Sequence, residues 1–303
     1  MSQKNMNFVS YGEVLFDVLE SEKKIGGAPL NLALRAASFG FPVHIISAVG
    51  NDDDGKVIVN YAKENGLETT GIGVLEDQNT GIVQVILDEN RTATYDIKFP
   101  SAWDFVPVNA AVENIVKNAD VFLFGSLVCR NEVSKNTLIT LLKSNTSMFK
   151  VFDVNLRPPY YSVDLIKELA QYADFMKLND EELLEINQTL GFRGNDIYES
   201  IQFLSKEFNV ENICVTKGKD GSTLLWKGEF IDHFGYSVQV EDTVGAGDSF
   251  LASLISQLVS GSAIDEALDF ASAVGAIVAG SKGANPKISN EMISEMRNTK
   301  ATV

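Results

Sequence analysis

Only two cysteines occur in the 303 residues, Cys129 and Cys214, far apart in apolar runs. That excludes a disulfide framework and any zinc-binding spacing, and it suits a reducing cytoplasm, the expected location. Basic residues are also scarce: 25 Lys and Arg stand against 41 Asp and Glu, a net charge of −16. Non-specific nucleic-acid or anionic-membrane binding needs a broad basic face, which this balance disfavours, although a single pocket can still be locally positive. No apolar run approaches the ~20 residues that span a bilayer. The longest candidate, residues 267–280, contains Asp269 and reads as a buried helix. Residues 1–7 lack the apolar core of a signal peptide. The two histidines, His44 and His233, sit in strand-like runs outside any motif and read as packing or surface residues.

What is present is an ordinary globular composition, 45% hydrophobic and 22% charged, long enough for one large domain or two. Short β-rich runs at 121–125, 149–154, 174–178 and 213–216 alternate with helical patterns at 132–144, 163–172, 180–190 and 198–208. This alternation implies an α/β protein with a mostly parallel sheet covered on both faces, and ligands beyond the carboxyl ends of its strands. Residues 80–87 and 91–97 break the pattern. They flank Asp88-Glu89-Asn90 and read as a β-hairpin, either part of a small lid with the strand-like stretch 8–19 or an edge extension of the main sheet.

The segment 236–259 carries the most chemistry. Tyr236, Val238 and Val240 alternate with polar residues, which predicts a strand. Asp242-Thr243-Val244-Gly245-Ala246-Gly247-Asp248 follows, and then Phe250, Leu251, Leu254, Ile255, Leu258 and Val259 recur at helical spacing. N–H groups at a helix start have no internal partner and meet the positive end of the dipole. Gly245, Ala246 and Gly247 carry almost no side chain, so a phosphate can come close to those amides. Asp248 would lie beside it, where a carboxylate can take a proton from an attacking hydroxyl. An ordinary helix start, with Asp248 merely favourable near the dipole, uses the same residues. Neither G-x-x-x-x-G-K-[ST] nor the third glycine of a dinucleotide fingerprint is present.

Asp242–Asp248 resembles the D-T-x-G-A-G-D signature of the ribokinase-like (PfkB) carbohydrate kinases. Gly26-Gly27-Ala28-Pro29-Leu30-Asn31 resembles a second signature of that family. Gly12-Glu13 with Asp17, Val49-Gly50-Asn51-Asp52, Asp153-Val154-Asn155-Leu156-Arg157-Pro158, Asn179-x-x-Glu182 and Thr216-Lys217-Gly218 before Gly221 follow in the family's order. The resemblance implies a three-layer α/β/α sandwich with a mostly parallel central sheet and a small β-sheet lid. It implies one kinase domain over 1–303, its lid from segments near 12–25 and 72–103.

It also implies transfer of the γ-phosphoryl of ATP, with Mg²⁺, to a sugar hydroxyl. By the same resemblance Asp248 is the base, and Gly245, Ala246 and Gly247 form the anion hole. Asn179 and Glu182 organise the magnesium through water; a cap with a first-turn acid would use the same pair. Thr216, Gly218, Gly221, Ala271, Gly275 and Asn285 fall where the nucleotide is held, although the small residues of 271–275 suit helix packing equally. Asp242 belongs to a loop where some members bind a monovalent cation such as K⁺. Asp17, Gly26, Gly27 and Asn31 match the polyol site, and Arg157 and Arg91 are further candidates to meet substrate or phosphoryl charge. Lys217 and Lys219 read as solvated surface.

The signatures resemble fructokinases most closely, which implies D-fructose going to fructose 6-phosphate. Ketodeoxygluconate kinases commonly carry Tyr-x-Arg in the lid; here the stretch is Tyr95-Asp96-Ile97, so the arginine that would face a carboxylate is missing and a neutral sugar is favoured. Arg91 could compensate, and fructokinases too often have an arginine near that strand end. 2-Keto-3-deoxygluconate kinase activity, ribokinase-type activity on another sugar, a non-catalytic sugar or nucleotide sensor and a dinucleotide oxidoreductase are the rivals. Sugar and ATP are the expected ligands, with a homodimer through the lid.

Overall fold

The computed structural model describes residues 6–19, 22–87 and 93–299, with side chains of 86, 87, 93 and 94 left aside. Two compact units divide the chain. Asn7–Phe122 with Leu127–Met148 form the amino-terminal one, and Leu123–Ser126 with the residues from 149 onward form the carboxyl-terminal one.

The amino-terminal unit runs β1 (Phe8–Tyr11), β2 (Leu15–Leu19), β3 (Glu22–Gly26), α1 (Ala28–Ser38), β4 (Val43–Gly50), α2 (Asp53–Glu64), β5 (Ile72–Leu75), β6 (Gly81–Leu87), β7 (Ala93–Ile97) and α3 (Ala110–Lys117). β8 (Val121–Gly125) divides its residues between the units, and α4 (Glu132–Ser144) returns to the first. β1, β4 and β5 pair in parallel, Phe8 opposite Val43 and Ser47 opposite Ile72. The expected hairpin strands are β6 and β7. They join β2 and β3 in a separate four-stranded sheet ordered β3-β2-β6-β7.

A buried ion pair anchors the end of β7. Arg130 Nε and Nη2 donate to the two Asp104 oxygens at 2.8 Å each. The guanidinium lies 3.8 Å above the Trp103 ring and donates to the Ile97 and Lys98 carbonyls. Two parallel N–H···O bonds suit the planar guanidinium fork, and stacking on the indole suits its weak hydration.

The carboxyl-terminal unit holds β9 (Phe149–Asp153), α5 (Val163–Ala170), β10 (Phe175–Asn179), α6 (Asp180–Thr189), α7 (Ile197–Phe208), β11 (Ile213–Thr216), β12 (Ser222–Trp226), β13 (Glu229–His233), α8 (Ala246–Val259), α9 (Ile264–Ala279) and α10 (Asn290–Asn298). β9, β10 and β11 are parallel neighbours, and β12 and β13 extend the row antiparallel. Parallel strands here are buried, with Val151, Phe152, Phe175, Met176, Leu178 and Ile213 withdrawn from water.

The strand expected over 236–241 does not form. Residues 234–240 are irregular. The alternation has no partner strand to pair with: Val240 is 60% exposed, and the Glu241 and Asp242 N–H groups donate to the Ala279 carbonyl at the end of α9. Period-two patterning without an adjacent edge gives extended chain and no ladder.

Asp52 fixes the start of α2. Its Oδ1 accepts from the Gly55 N–H at 2.7 Å and the Thr80 hydroxyl at 2.6 Å, and its Oδ2 accepts from the Thr80 N–H at 2.9 Å. Burial acts to raise the carboxyl's pKa, but the Thr80 and Gly55 donors with Lys23 outweigh it and hold it below the ordinary value. Asp52→Ala should therefore lose about 2–3 kcal/mol in urea unfolding at pH 7. A depressed carboxyl contributes fully above its unfolded pKa and loses its contribution as pH falls through the folded one. The gap between wild type and variant should thus begin to narrow below about pH 4. A gap independent of pH would contradict this.

Candidate active site

The carboxyl-terminal unit delivers the glycine turn to the start of α8. Gly245 is the N-cap, in the left-handed region at φ 76°, ψ −3°. A Cβ there would stand 2.6 Å from Ala284 Cβ and 2.8 Å from its carbonyl oxygen, so glycine is required both for conformation and for space. Asp242 shapes the approach: its Oδ1 accepts from the Val244 N–H at 3.0 Å. The Ala246 N–H closes a turn onto the Thr243 carbonyl at 3.3 Å, so the three expected amides are not equivalent. Among the described residues, the Gly245 and Gly247 N–H groups meet no backbone acceptor. Asp248 follows, half-buried in the first turn.

A charge that the sequence reading did not single out lies beside this turn. Lys177, in the middle of β10, stands opposite Asp153 of β9 in register, and its Nζ donates to Asp153 Oδ1 at 3.1 Å. Burial alone would lower the ammonium's pKa; the Asp153, Glu182 and Asp248 carboxylates reverse that and raise it, so Lys177 stays charged. Cys214, opposite Lys177 on β11, is pushed up to about 12 by burial, so its thiol is not a nucleophile at neutral pH.

Asn179 and Glu182 form a reciprocal capping box on α6. Asn179 Oδ1 accepts from the Glu182 N–H, and Glu182 Oε2 accepts from the Asn179 N–H, both at 2.8 Å. Glu182 Oε1 accepts from the Leu156 N–H at 2.8 Å and so holds the loop after β9. Burial raises the Glu182 carboxyl above its ordinary pKa, against Lys177 and the two amides, which pull it down.

The remaining expected residues lie on other elements and loops. Thr216 ends β11 half-buried, Gly218 is exposed, and Gly221 is buried with the His233 carbonyl where a Cβ would go. Ala271 is fully buried in α9, and Gly275 faces Phe250 and the Ala246 carbonyl of α8. Asn285 follows Ala284, the residue against Gly245. Arg157 is exposed and folds onto its own chain, Nη1 donating to the Leu156 carbonyl at 2.9 Å. Lys217 is only 22% exposed and donates to Thr223 Oγ1 at 3.0 Å, which corrects its reading as solvated surface. His233 is likewise engaged, within 3.1 Å of Asp269, which also receives Tyr236 and Arg297.

In the amino-terminal unit, Asp17 of β2 lies across the strand pair from β3, and a Cβ on Gly26 would collide with its Oδ2. Gly27 is the N-cap of α1 at φ 112°, and the buried Asn31 donates its N–H to the Gly27 carbonyl. Asp17, Gly26, Gly27 and Asn31 thus gather at one strand end and helix start. Arg91 lies outside the described residues.

The chain is similar to known proteins over most of its length. The family described as pfkB family carbohydrate kinase matches residues 2–291. Fructokinase-2 of Oryza sativa is 28% identical over 96% of this chain and 94% of its own. A sugar kinase of Pyrococcus horikoshii solved in complex with ATP is 26% identical, covers 92% of this chain and 94% of its own, and superposes with a TM-score of 0.80. Fructokinase of Vibrio cholerae, crystallised with fructose, ADP and calcium, shares the fold at a TM-score of 0.83 with 22% identity over 96% of this chain and 99% of its own. The expected ribokinase-like α/β architecture is borne out. No helix among the described residues is long and apolar enough to cross a membrane.

Gly245→Ala should lower stability by about 1–3 kcal/mol in urea unfolding, from left-handed strain and the clash with Ala284. Ala284→Gly in that background should recover only the part due to the methyl contact. Full recovery, or no initial loss, would show that Gly245 is not constrained as described.

Proposed function

The chain belongs to the pfkB family of carbohydrate kinases, and on that premise we propose that it transfers the γ-phosphoryl of ATP to D-fructose, giving fructose 6-phosphate. It is a sugar kinase, a phosphotransferase with an alcohol acceptor. The observation that carries the reading is the start of α8, where two N–H groups without backbone acceptors and Asp248 share one turn. Phosphoryl transfer needs positioning and charge neutralisation more than covalent chemistry. The Asp248 carboxylate takes the proton of the acceptor hydroxyl. As the new O–P bond forms, the bond from the γ-phosphorus to the bridging oxygen breaks and ADP leaves. The Gly245 and Gly247 amides receive the charge on the moving group, aided by the helix dipole.

Magnesium fits here as an ion held by phosphates and water. No group of three or more His, Cys, Asp or Glu side chains gathers among the described residues. Both Glu182 oxygens already accept amide bonds, while the buried Asp153 Oδ2 has no hydrogen-bond partner. Asn179, Glu182 and Asp153 would hold its water shell, and the ion supplies neutralisation of phosphate charge when bound. Asp17, Gly26, Gly27 and Asn31 supply acceptors, a donor and backbone access suited to a polyol.

Fructose is favoured by the full-length relatives named fructokinase and by a lid strand lacking a cation for a substrate carboxylate at Tyr95-Asp96-Ile97. An ADP-release assay across fructose, ribose, 2-keto-3-deoxygluconate, tagatose and nucleosides should rank fructose first in kcat/KM. Another acceptor ranking well above it would remove fructose and leave the kinase. Asp248→Asn should lower kcat about 10²–10⁴-fold with little change in sugar KM. Turnover at the wild-type rate would remove Asp248 as the base.

A further inference from the structure

Lys177 is a buried charge that the chemistry above leaves unused. β10 has β9 on one side and β11 on the other, and an apolar residue would fill such a position readily. The Lys177 and Asp153 side chains are only 8% and 2% exposed. Replacing a buried ion pair by apolar groups is often neutral or stabilising, so stability is a weak reason for this one. Its surroundings give a better reason. Lys177 Nζ comes within 3.3 Å of the point where a Cβ would stand on Gly247. Gly247 is not among the glycines of positive φ, so its backbone does not demand glycine; a Cβ there would instead press on the ammonium, which would have to give by a few tenths of an ångström. The next residue is Asp248.

We propose that Lys177 is a positioning residue for phosphoryl transfer: its ammonium, tied to Asp153 on one side and laid against Gly247 on the other, fixes the first turn of α8 and the direction of the Asp248 carboxylate. The proposal rests on reading Gly245–Asp248 as the phosphoryl site. Lys177 neither gives nor takes a proton; it acts through charge and volume. A cation at the positive end of a helix is unfavourable until an anion arrives. Held by carboxylates, Lys177 keeps that end charged in advance, so the arriving phosphoryl group meets a field already in place and no reorganisation is needed.

The test compares Lys177→Met, Gly247→Ala and the two together, using whichever acceptor the wild type turns over fastest, so that the identity of the sugar does not enter. Lys177→Met should lose about 10²-fold in kcat, with sugar KM and the calorimetric ADP dissociation constant within about threefold of wild type. Gly247→Ala should also lose kcat. The double variant should be no worse than Lys177→Met within about threefold, because the ammonium that the methyl displaces is gone. Lys177→Met leaves Asp153 unpaired, so Lys177→Met with Asp153→Asn removes both charges; this variant should unfold cooperatively, and its kcat should fall below that of Asp153→Asn alone. A folded Lys177→Met, alone or with Asp153→Asn, within threefold of wild-type kcat would overturn the proposal, as would losses that multiply in the Gly247 cycle. Asp248→Asn is measured alongside. Wild-type turnover there overturns both readings, whereas an inactive Asp248→Asn with an unaffected Lys177→Met overturns the Lys177 proposal alone.

Discussion

Gly245 holds φ at 76° with Ala284 occupying the space a side chain would need, and this constraint decides where α8 begins. Any other residue would meet both a left-handed penalty and a collision. Because the helix must start there, its first-turn amides and Asp248 are delivered to one point. The Asp242 side chain accepts the Val244 N–H and sets the preceding turn, and the Ser249 N–H returns to the Gly245 carbonyl at 2.8 Å to begin the helical ladder. The site is thus a product of chain geometry before it is a product of side-chain chemistry.

Charge is arranged against the trend of the molecule. A protein of net charge −16 repels anions on average, yet the proposed phosphoryl site at the start of α8 needs to receive one. The carboxyl-terminal unit answers with sources of positive potential that do not add net basic surface: backbone amides, a helix dipole and one buried ammonium. The carboxylates nearby are held by donors. Glu182 accepts two amides, and Asp153 faces Lys177. The same pair of Asn179 and Glu182 that caps α6 also grips the loop after β9 through Leu156, so the cap and the proposed water-organising role would share one set of atoms.

Much of this was legible in the sequence, and for identifiable reasons. Glycine before an apolar 3.6-residue pattern marked the start of α8, and Asn179 three residues before Glu182 marked the start of α6. Gly26 and Asp17 were visible only as separate motif residues; their contact comes from strand register, which spacing alone does not reveal. The strand expected at 236–241 failed because alternation carries no information about whether a partner edge exists. Lys177 was missed although a signal existed. A lysine amid Phe175, Met176 and Leu178, in a strand that must be buried on both faces, has to be paired, and Asp153 closes another such strand. Arg130 with Asp104 is the same lesson, because its partner is 26 residues away and only the fold brings them together.

The central claim is that the first turn of α8 receives the migrating phosphoryl group with Asp248 beside it. A crystal structure with ADP, aluminium fluoride and fructose tests this most directly. The fluoride plane should lie within hydrogen-bond distance of the Gly245 and Gly247 N–H groups, with the Asp248 carboxylate against the attacking hydroxyl. Fluoride bound away from the start of α8, or a hydroxyl facing a group other than Asp248, would contradict it.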